Sequence, residues 1–124
     1  MSFEIRVHEE AKYFEVRYAG AVSVAERAQV LEQLAVAAER AGFRRCLMDL
    51  RDAQFVPDAF AASNQFASRV ARETVDRDAR VAYVAKNTSQ IDPTVENLTS
   101  ARGVPFRRFN HRLPALAWLL ARQP

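Results

Sequence analysis

Two short, continuously apolar runs constrain the fold of this chain more than any other feature. They are residues 46–48 (Cys-Leu-Met) and residues 81–85 (Val-Ala-Tyr-Val-Ala), and each comes after a stretch with helical spacing. Runs of this length are typical of interior strands in a mostly parallel sheet, whose faces are covered by helices. Asp49 is expected to end the first of these strands. The chain is therefore predicted to be an α/β protein.

The N-terminal segment has a different pattern. Apolar and polar residues alternate over residues 3–8 and again over residues 13–18, which is the period of a strand with one buried face. Residues 9–12 between them are short enough to form a turn. We therefore predict an antiparallel hairpin, whose inward residues are Phe3, Ile5, Val7, Phe14, Val16 and Tyr18.

The first helix has the clearest signals at both ends. Ser23 and Glu26 have the spacing of a capping box, and Gly42 is the expected left-handed terminator. A second helix is predicted from Pro57 to about Arg72. The predicted packing positions are Val24, Ala28, Leu31, Leu34 and Ala38 in the first helix, and Ala59, Ala62, Ser63, Phe66 and Val70 in the second.

The C-terminal third repeats the alternation of helix and strand. Asp92 and Pro93 predict a capped helix start, and Gly103 lies just past its far end. Residues 106–109 are predicted as a last strand, and a closing helix is predicted to start near Asn110 or Pro114. The predicted order is ββαβαβαβα, in one domain of residues 1–124 with a mixed sheet of about five strands and four helices.

Composition restricts the function classes. The three glycines are isolated, so a glycine-rich phosphate loop is excluded, and no His and Cys cluster indicates a metal site. His8 and His111 lack a recognisable catalytic arrangement, so we predict no catalytic residue, no cofactor and no metal. The net charge of +3 comes from scattered arginines, which argues against nucleic-acid binding. Without an apolar stretch of about 18 residues, we expect a cytoplasmic protein that makes no integral membrane contact.

The strand order and the stretch from Asp49 to Asp58 resemble the SpoIIAA-like proteins, the bacterial anti-sigma factor antagonists and their STAS relatives. Asp49-Leu50, Phe55 and the quartet at residues 57–60 stand where that family has an acidic-aliphatic pair, a phenylalanine and a helix start. The closing segment RRFNHRLPALAWLLA also looks like the last helix of a subgroup related to STAS and SEC14 proteins, through Ala115, Trp118 and Leu119.

This resemblance implies a SpoIIAA-like (STAS) domain that acts through protein–protein interaction and is not an enzyme. In the family members that are phosphorylation switches, a serine begins this helix, and Asp58 stands at that position here. A serine kinase cycle cannot act on an aspartate, so a regulatory Asp58 would be a fixed negative charge. The residues alone favour a structural role for Asp58, as an N-terminal cap or first-turn acid of the helix.

The candidate partner surface lies where residues 51–56 are predicted to form a loop, at the carboxyl end of an interior strand, and where the second helix begins. Phe55 and Val56 either plug the edge of the sheet or offer an apolar patch. Thr88 and Ser89 are expected in a loop or cap. The candidate residues of this surface are Arg51, Asp52, Phe55, Val56, Asp58, Ser63 and Asn64.

Two further possibilities stay open at this point. The first is a SEC14-like protein that binds a small apolar ligand or lipid, in a cavity lined by Phe60, Phe66, Tyr83, Phe106, Phe109 and Trp118. The second is a homodimer, because the predicted hairpin over residues 3–19 leaves an edge strand that another copy can pair with or cover. The sequence does not identify a protein partner or the process it serves.

Overall fold

The computed structural model describes residues 3–122, in which five strands form one mixed sheet. The strands are β1 (Phe3–His8), β2 (Tyr13–Val22), β3 (Arg44–Phe55), β4 (Ala79–Val84) and β5 (Phe106–Phe109). They lie side by side in chain order. β1 and β2 are antiparallel, whereas β2 to β5 are parallel to one another. The predicted hairpin and mixed sheet are confirmed.

Four α-helices connect or follow the strands: α1 (Val24–Ala41), α2 (Phe60–Thr74), α3 (Pro93–Ala101) and α4 (Arg112–Leu120). A 3₁₀ helix, Thr88–Gln90, lies between β4 and α3. Apart from this 3₁₀ helix, the order is the predicted ββαβαβαβα. Asp92 caps α3 by accepting a hydrogen bond from the backbone N–H of Val95, as its position before Pro93 indicated.

The helices cover the two faces of the sheet unequally. Val30, Leu34 and Ala38 of α1 pack on one face, and Phe66 of α2 and Val95 of α3 form a neighbouring cluster there. We call the face of the sheet under α1, α2 and α3 the covered face. The opposite face is covered by α4 alone, through Ala115 and Leu119, over Leu47, Ala82 and Val84. The part of that second face over β1, β2 and β3 carries charged side chains, and we call it the open face.

Helix α1 has the predicted ends but a different inward face. Ser23 and Glu26 form the capping box, and Gly42 has a φ of 83°. The buried residues are Val24, Arg27, Val30, Leu34 and Ala38, so Arg27 and Val30 are buried in place of the predicted Ala28 and Leu31, which are only partly buried. Arg27 was not among the predicted packing positions, and it is buried because it forms an ion pair with the buried Asp92.

Strand β3 is longer than predicted. Asp49 does not end it, and residues 51–55, predicted as a loop, are strand. The buried Asp49 carboxylate accepts hydrogen bonds from Arg51, so the acid is satisfied within the sheet. The register shifts once, because Arg17 pairs with Asp49 whereas Ala19 pairs with Asp52. The extra residue on β3 forms a β-bulge between Asp49 and Asp52, and the strand continues beyond it to Phe55.

Helix α2 starts three residues later than predicted. Its first residue is Phe60 and its N-cap is Ala59, which makes no side-chain capping bond. The expectation that Asp58 caps this helix is therefore wrong. Its Oδ1 atom accepts a hydrogen bond from the backbone N–H of Ala59, at 2.7 Å, and not from a backbone N–H in the first turn.

Candidate functional site

The candidate site lies at the carboxyl end of β3, where the chain crosses to α2. Residues 56–60, which we call the helix-start segment, are all exposed. Val56 is 39% exposed and Phe60 is 65% exposed, which is unusual for large apolar side chains. Asp58 lies between them and is also exposed. The segment therefore presents two apolar side chains and one carboxylate to the solvent.

A rigid base holds this segment in place. The backbone N–H of Val56 donates to the carbonyl oxygen of Val22 at 2.9 Å, which extends the pairing of β2 and β3 by one residue. Phe55, the last residue of β3, is only 3% exposed. Its ring makes edge contacts with the rings of Tyr18 and Tyr83. Phe55 therefore belongs to the core at the end of β3, and Val56 is the first exposed residue after it.

Arg27 lies beneath the site and connects three helices to the sheet. Its guanidinium carbon is 3.9 Å from the centroid of the Phe55 ring and 4.9 Å from that of Phe66. One Nη atom is 3.4 Å from the Oδ2 atom of Asp92, and both side chains are buried. Asp92 is also the cap of α3. The sequence indicated the cap, but it held no signal that Arg27 pairs with it across 65 residues.

Gln90 fixes the neighbouring connection between β4 and α3. Its Nε2 atom donates to the carbonyl oxygens of Leu50 and Ala53, at 2.6 and 2.9 Å, and its Oε1 atom accepts from the backbone N–H of Lys86. These bonds satisfy carbonyl groups beside the β3 bulge. Residues 86–89 stay exposed, with Thr88 and Ser89 in the 3₁₀ helix. Sequence analysis missed Gln90 because the two β3 carbonyl groups that it binds lie 40 and 37 residues away in the chain.

The remaining predicted site residues do not lie on one surface. Arg51 is partly exposed and is held by Asp49, while Asp52 is exposed on the strand. Ser63 is fully buried. Asn64 accepts a hydrogen bond from Arg102, next to the end of α3. The structure thus exposes Asp52, Val56 and Asp58, buries Phe55 and Ser63, and ties Arg51 and Asn64 to neighbouring side chains.

The helix-start segment has no hydroxyl group. From Arg51 to Ala62 the chain contains no Ser, Thr or Tyr. The first hydroxyl of α2 belongs to Ser63, whose Oγ atom is buried and has no hydrogen-bond partner. A kinase cannot reach that atom without moving the helix. The only group that can carry charge within residues 56–60 is the carboxylate of Asp58.

A second polar cluster lies on the open face, around Glu15. Arg112 donates to Glu15 at 2.9 Å, and the His8 Nε2 atom is 3.0 Å from the same carboxylate. The His8 ring also stacks on Tyr13. Burial alone would raise the pKa of Glu15, but the hydrogen bond and charge of Arg112, with a smaller effect of His8, hold this pKa below its ordinary value.

This cluster lacks the parts of a hydrolytic site. In the described part of the chain, His8 hydrogen-bonds to Glu15 and to no hydroxyl or thiol. Cys46, the single thiol, is buried on the covered face, where burial raises its pKa to about 12. A thiol with that pKa stays protonated at neutral pH and is a poor nucleophile. Residues 3–122 also contain no group of three His, Cys, Asp or Glu side chains placed to hold a metal ion.

A small cavity lies on the covered face, between α1, α2 and the sheet. Its volume is about 70 Å³, and it is lined mainly by apolar side chains that include Leu34, Phe66, Val70 and Tyr83. Of the six residues predicted to line a ligand cavity, only Phe66 and Tyr83 do so. Phe109 and Trp118 pack on the opposite face, and Phe60 is exposed.

These features define a SpoIIAA-like α/β fold with an apolar and acidic patch at the start of its second helix. Among solved structures, the chain is similar to an uncharacterized DUF3478-family protein with a SpoIIAA-like fold from Shewanella loihica PV-4. The TM-score is 0.60 at 17% identity, over 95% of this chain and 92% of that one. It is also similar to the anti-sigma factor antagonist SpoIIAA in its unphosphorylated form, with a TM-score of 0.56 at 11% identity, over 86% and 87% of the two chains.

The predicted resemblance is confirmed for the fold by these two structures. A comparison with protein families and a comparison with curated proteins each gave no match. Within residues 3–122, no helix has the length and apolar character needed to cross a membrane. Identity this low relates the chain to a fold, and the function has to be argued from its own residues.

Proposed function

We propose that this protein is a non-enzymatic regulatory domain that binds a protein partner through the helix-start segment, residues 56–60. The observation that carries this proposal is the combination of exposed Val56 and Phe60 around the exposed Asp58, on a backbone fixed by β3. Exposed aromatic side chains on rigid elements are typical anchors of protein interfaces. The similarity in fold to a protein named as an anti-sigma factor antagonist supports a regulatory role by analogy, whereas the choice of surface depends on the residues of this chain.

The proposed regulator has no phosphorylation switch at this surface. The segment lacks a hydroxyl group, and its acidic group is the Asp58 side chain, which a serine kinase cannot modify. A surface with a fixed charge has a single binding state. Regulation would therefore come from a change in the amount of the protein or in the state of its partner. The family resemblance implies that such a regulator acts in the bacterial cytoplasm.

The alternative function, binding of a small apolar ligand or lipid, is favoured by one observation, the apolar cavity between α1 and α2. The volume of the cavity argues against this alternative. Pockets for drug-sized ligands measure roughly 300–1,000 Å³, whereas this cavity measures about 70 Å³. A lipid would have to separate α1 from α2, which would break the contacts of Arg27 with Phe55 and Phe66.

The test is a side-by-side capture from native cell lysate with the wild type and Asp58→Lys. A protein retained by the wild type and lost with Asp58→Lys supports the proposal. The matched control is Glu10→Lys. It makes the same charge change in the exposed turn between β1 and β2, at the opposite end of the strands from residues 56–60. This control is expected to retain the partner. Circular dichroism of all three proteins checks that they are folded.

Two results would contradict the proposal. The first is equal retention of every protein by the wild type and Asp58→Lys. The second is no differential protein together with a co-purifying small molecule detected by native mass spectrometry, which would support the ligand-binding alternative.

A further inference from the structure

The outer edge of β1 has free hydrogen-bonding groups in a defined pattern. Among residues 3–122, β1 lies at the end of the sheet and pairs only with β2. The carbonyl oxygen of His8 accepts from the N–H of Lys12, on the β2 side of the hairpin. Residues along a strand direct their backbone groups alternately to the two sides. Glu4 and Arg6 therefore direct theirs toward β2, and Phe3, Ile5 and Val7 direct theirs outward.

We propose that two copies of this chain associate by antiparallel pairing of their β1 strands, centred on Ile5. In this register Ile5 lies opposite Ile5 of the other copy, and Phe3 lies opposite Val7. These residue pairs are the ones whose backbone groups point outward, so each pair exchanges two hydrogen bonds. The two sheets become one continuous sheet, in which both open faces lie on the same side. This inference does not depend on the proposed function.

Charge selects this register over its neighbours. Centring on Ile5 places Glu4 opposite Arg6 of the other copy, twice by symmetry. In a register centred on Glu4, the two copies of Glu4 lie opposite each other. In a register centred on Arg6, the two copies of Arg6 lie opposite each other. Like charges directly opposite one another destabilise strand pairing. Shifts that pair residues of different faces would place apolar side chains among charges.

The apolar side of the same edge is also open. A groove of about 780 Å³ runs between β1 and α1, and it is lined in part by Val7, Phe14, Val36 and Ala37. Val7 is 47% exposed and Val36 is 53% exposed. In the proposed register, Phe3 of the second copy lies beside Val7 at this groove. The dimer therefore buries apolar surface that a monomer leaves in water.

The test is a charge exchange between two variants, followed by sedimentation equilibrium. Arg6→Glu gives a strand with glutamates at positions 4 and 6, and Glu4→Arg gives one with arginines at both. Each variant alone is expected to dimerise at least about tenfold more weakly than the wild type, because like charges meet. An equimolar mixture is expected to form a heterodimer with an affinity close to that of the wild type.

The double variant Glu4→Arg/Arg6→Glu separates dimerisation from folding. Inside each chain Glu4 lies opposite Arg17 and Arg6 lies opposite Glu15, so the double variant carries both of these mismatches, but it keeps opposite charges at positions 4 and 6, where Glu4 and Arg6 form an ion pair at 2.7 Å. It nevertheless restores opposite charges between copies, and it is expected to dimerise like the wild type. A wild type that stays monomeric at high micromolar concentration would overturn the inference. So would a mixture that associates no more tightly than the single variants.

Discussion

The two faces of the sheet use the same charged groups in different surroundings. On the covered face, Arg27 and Asp92 form one ion pair in which both side chains are buried. On the open face, Glu15 and Asp49 are each held by arginines that reach the solvent. Removing one partner of a pair in which both groups are buried is costly, whereas removing an arginine that already reaches the solvent lets water approach the buried Glu15 or Asp49 in its place. The covered face should therefore govern stability and the open face should tolerate change.

The largest effect is expected from Arg27→Met. This change leaves the carboxylate of Asp92 buried without its counter-charge and removes the guanidinium from the Phe55 ring. We expect the free energy of unfolding to fall by about 3–5 kcal/mol. Urea titration followed by circular dichroism measures it.

The double variant Arg27→Met/Asp92→Asn is the control for this prediction. Asparagine keeps the cap of α3 and carries no charge. The double variant should recover more than half of the loss caused by Arg27→Met alone. An Arg27→Met protein as stable as the wild type would show that the two faces do not differ in this way.

A smaller effect is expected from Arg112→Gln on the open face. Arg112 contacts both Glu15 and the hydroxyl of Tyr13, but part of its side chain is exposed. After the substitution, the buried Glu15 still has His8 at 3.0 Å, and the side chains around it reach the solvent, since His8 and Arg112 are each about one third exposed. We expect a loss of about 1 kcal/mol in the same urea titration. A loss as large as that of Arg27→Met would remove the distinction between the faces.

The dependence of stability on pH sharpens the comparison. Burial alone would raise the pKa of Asp49, but the hydrogen bonds and charge of Arg51 hold it below its ordinary value, as Arg112 does for Glu15. A carboxylate with a lowered pKa stabilises the fold above its unfolded pKa and loses that contribution as the pH falls toward its folded pKa.

Stability should therefore be level near neutral pH and should fall below about pH 4.5, where free carboxylates begin to take up protons. In Arg112→Gln the pKa of Glu15 should be less depressed, so the fall below that pH should be smaller. Unfolding temperatures of both proteins from pH 7 to pH 3 measure this. Parallel curves would contradict the role assigned to Arg112.

The smallest effect on stability is expected at Asp58. This residue is exposed and precedes the N-cap Ala59, so Asp58→Ala and Asp58→Ser should each change the free energy of unfolding by less than about 0.5 kcal/mol. Ser23→Ala is the matched control, because it removes a real capping box and should cost about 1 kcal/mol. A loss with Asp58→Ala that equals that of Ser23→Ala would restore the capping explanation.

Local patterns predicted the architecture of this chain well. The hairpin alternation, the capping box at Ser23 and the cap at Asp92 each depend on residues close in sequence, and the structure has all three. The errors arose where the structure of a segment depends on contacts with residues elsewhere in the fold. Asp49 was predicted to end β3, but Arg17 and Arg51 neutralise it inside the sheet.

The candidate site was predicted less completely, for a related physical reason. The position of the chain crossing into α2 was foreseeable, whereas the exposure of each side chain depends on the β3 bulge and on where α2 begins. Phe55 and Ser63 proved to be buried, and Phe60, predicted as part of a cavity wall, proved to be the most exposed residue of the apolar patch. The roles of Arg27 and Gln90 depend on partners far along the chain, which spacing does not reveal.

The most direct test of the central claim is the affinity of the partner captured by the wild type, measured for three proteins by isothermal titration calorimetry. These are the wild type, Phe60→Ser and the control Leu113→Ser, which removes from α4 an apolar side chain that is 77% exposed, against 65% for Phe60. Our account predicts at least about tenfold weaker binding for Phe60→Ser, typical of a lost aromatic anchor, and unchanged binding for Leu113→Ser. Wild-type affinity in Phe60→Ser would contradict the assignment of the partner surface to residues 56–60.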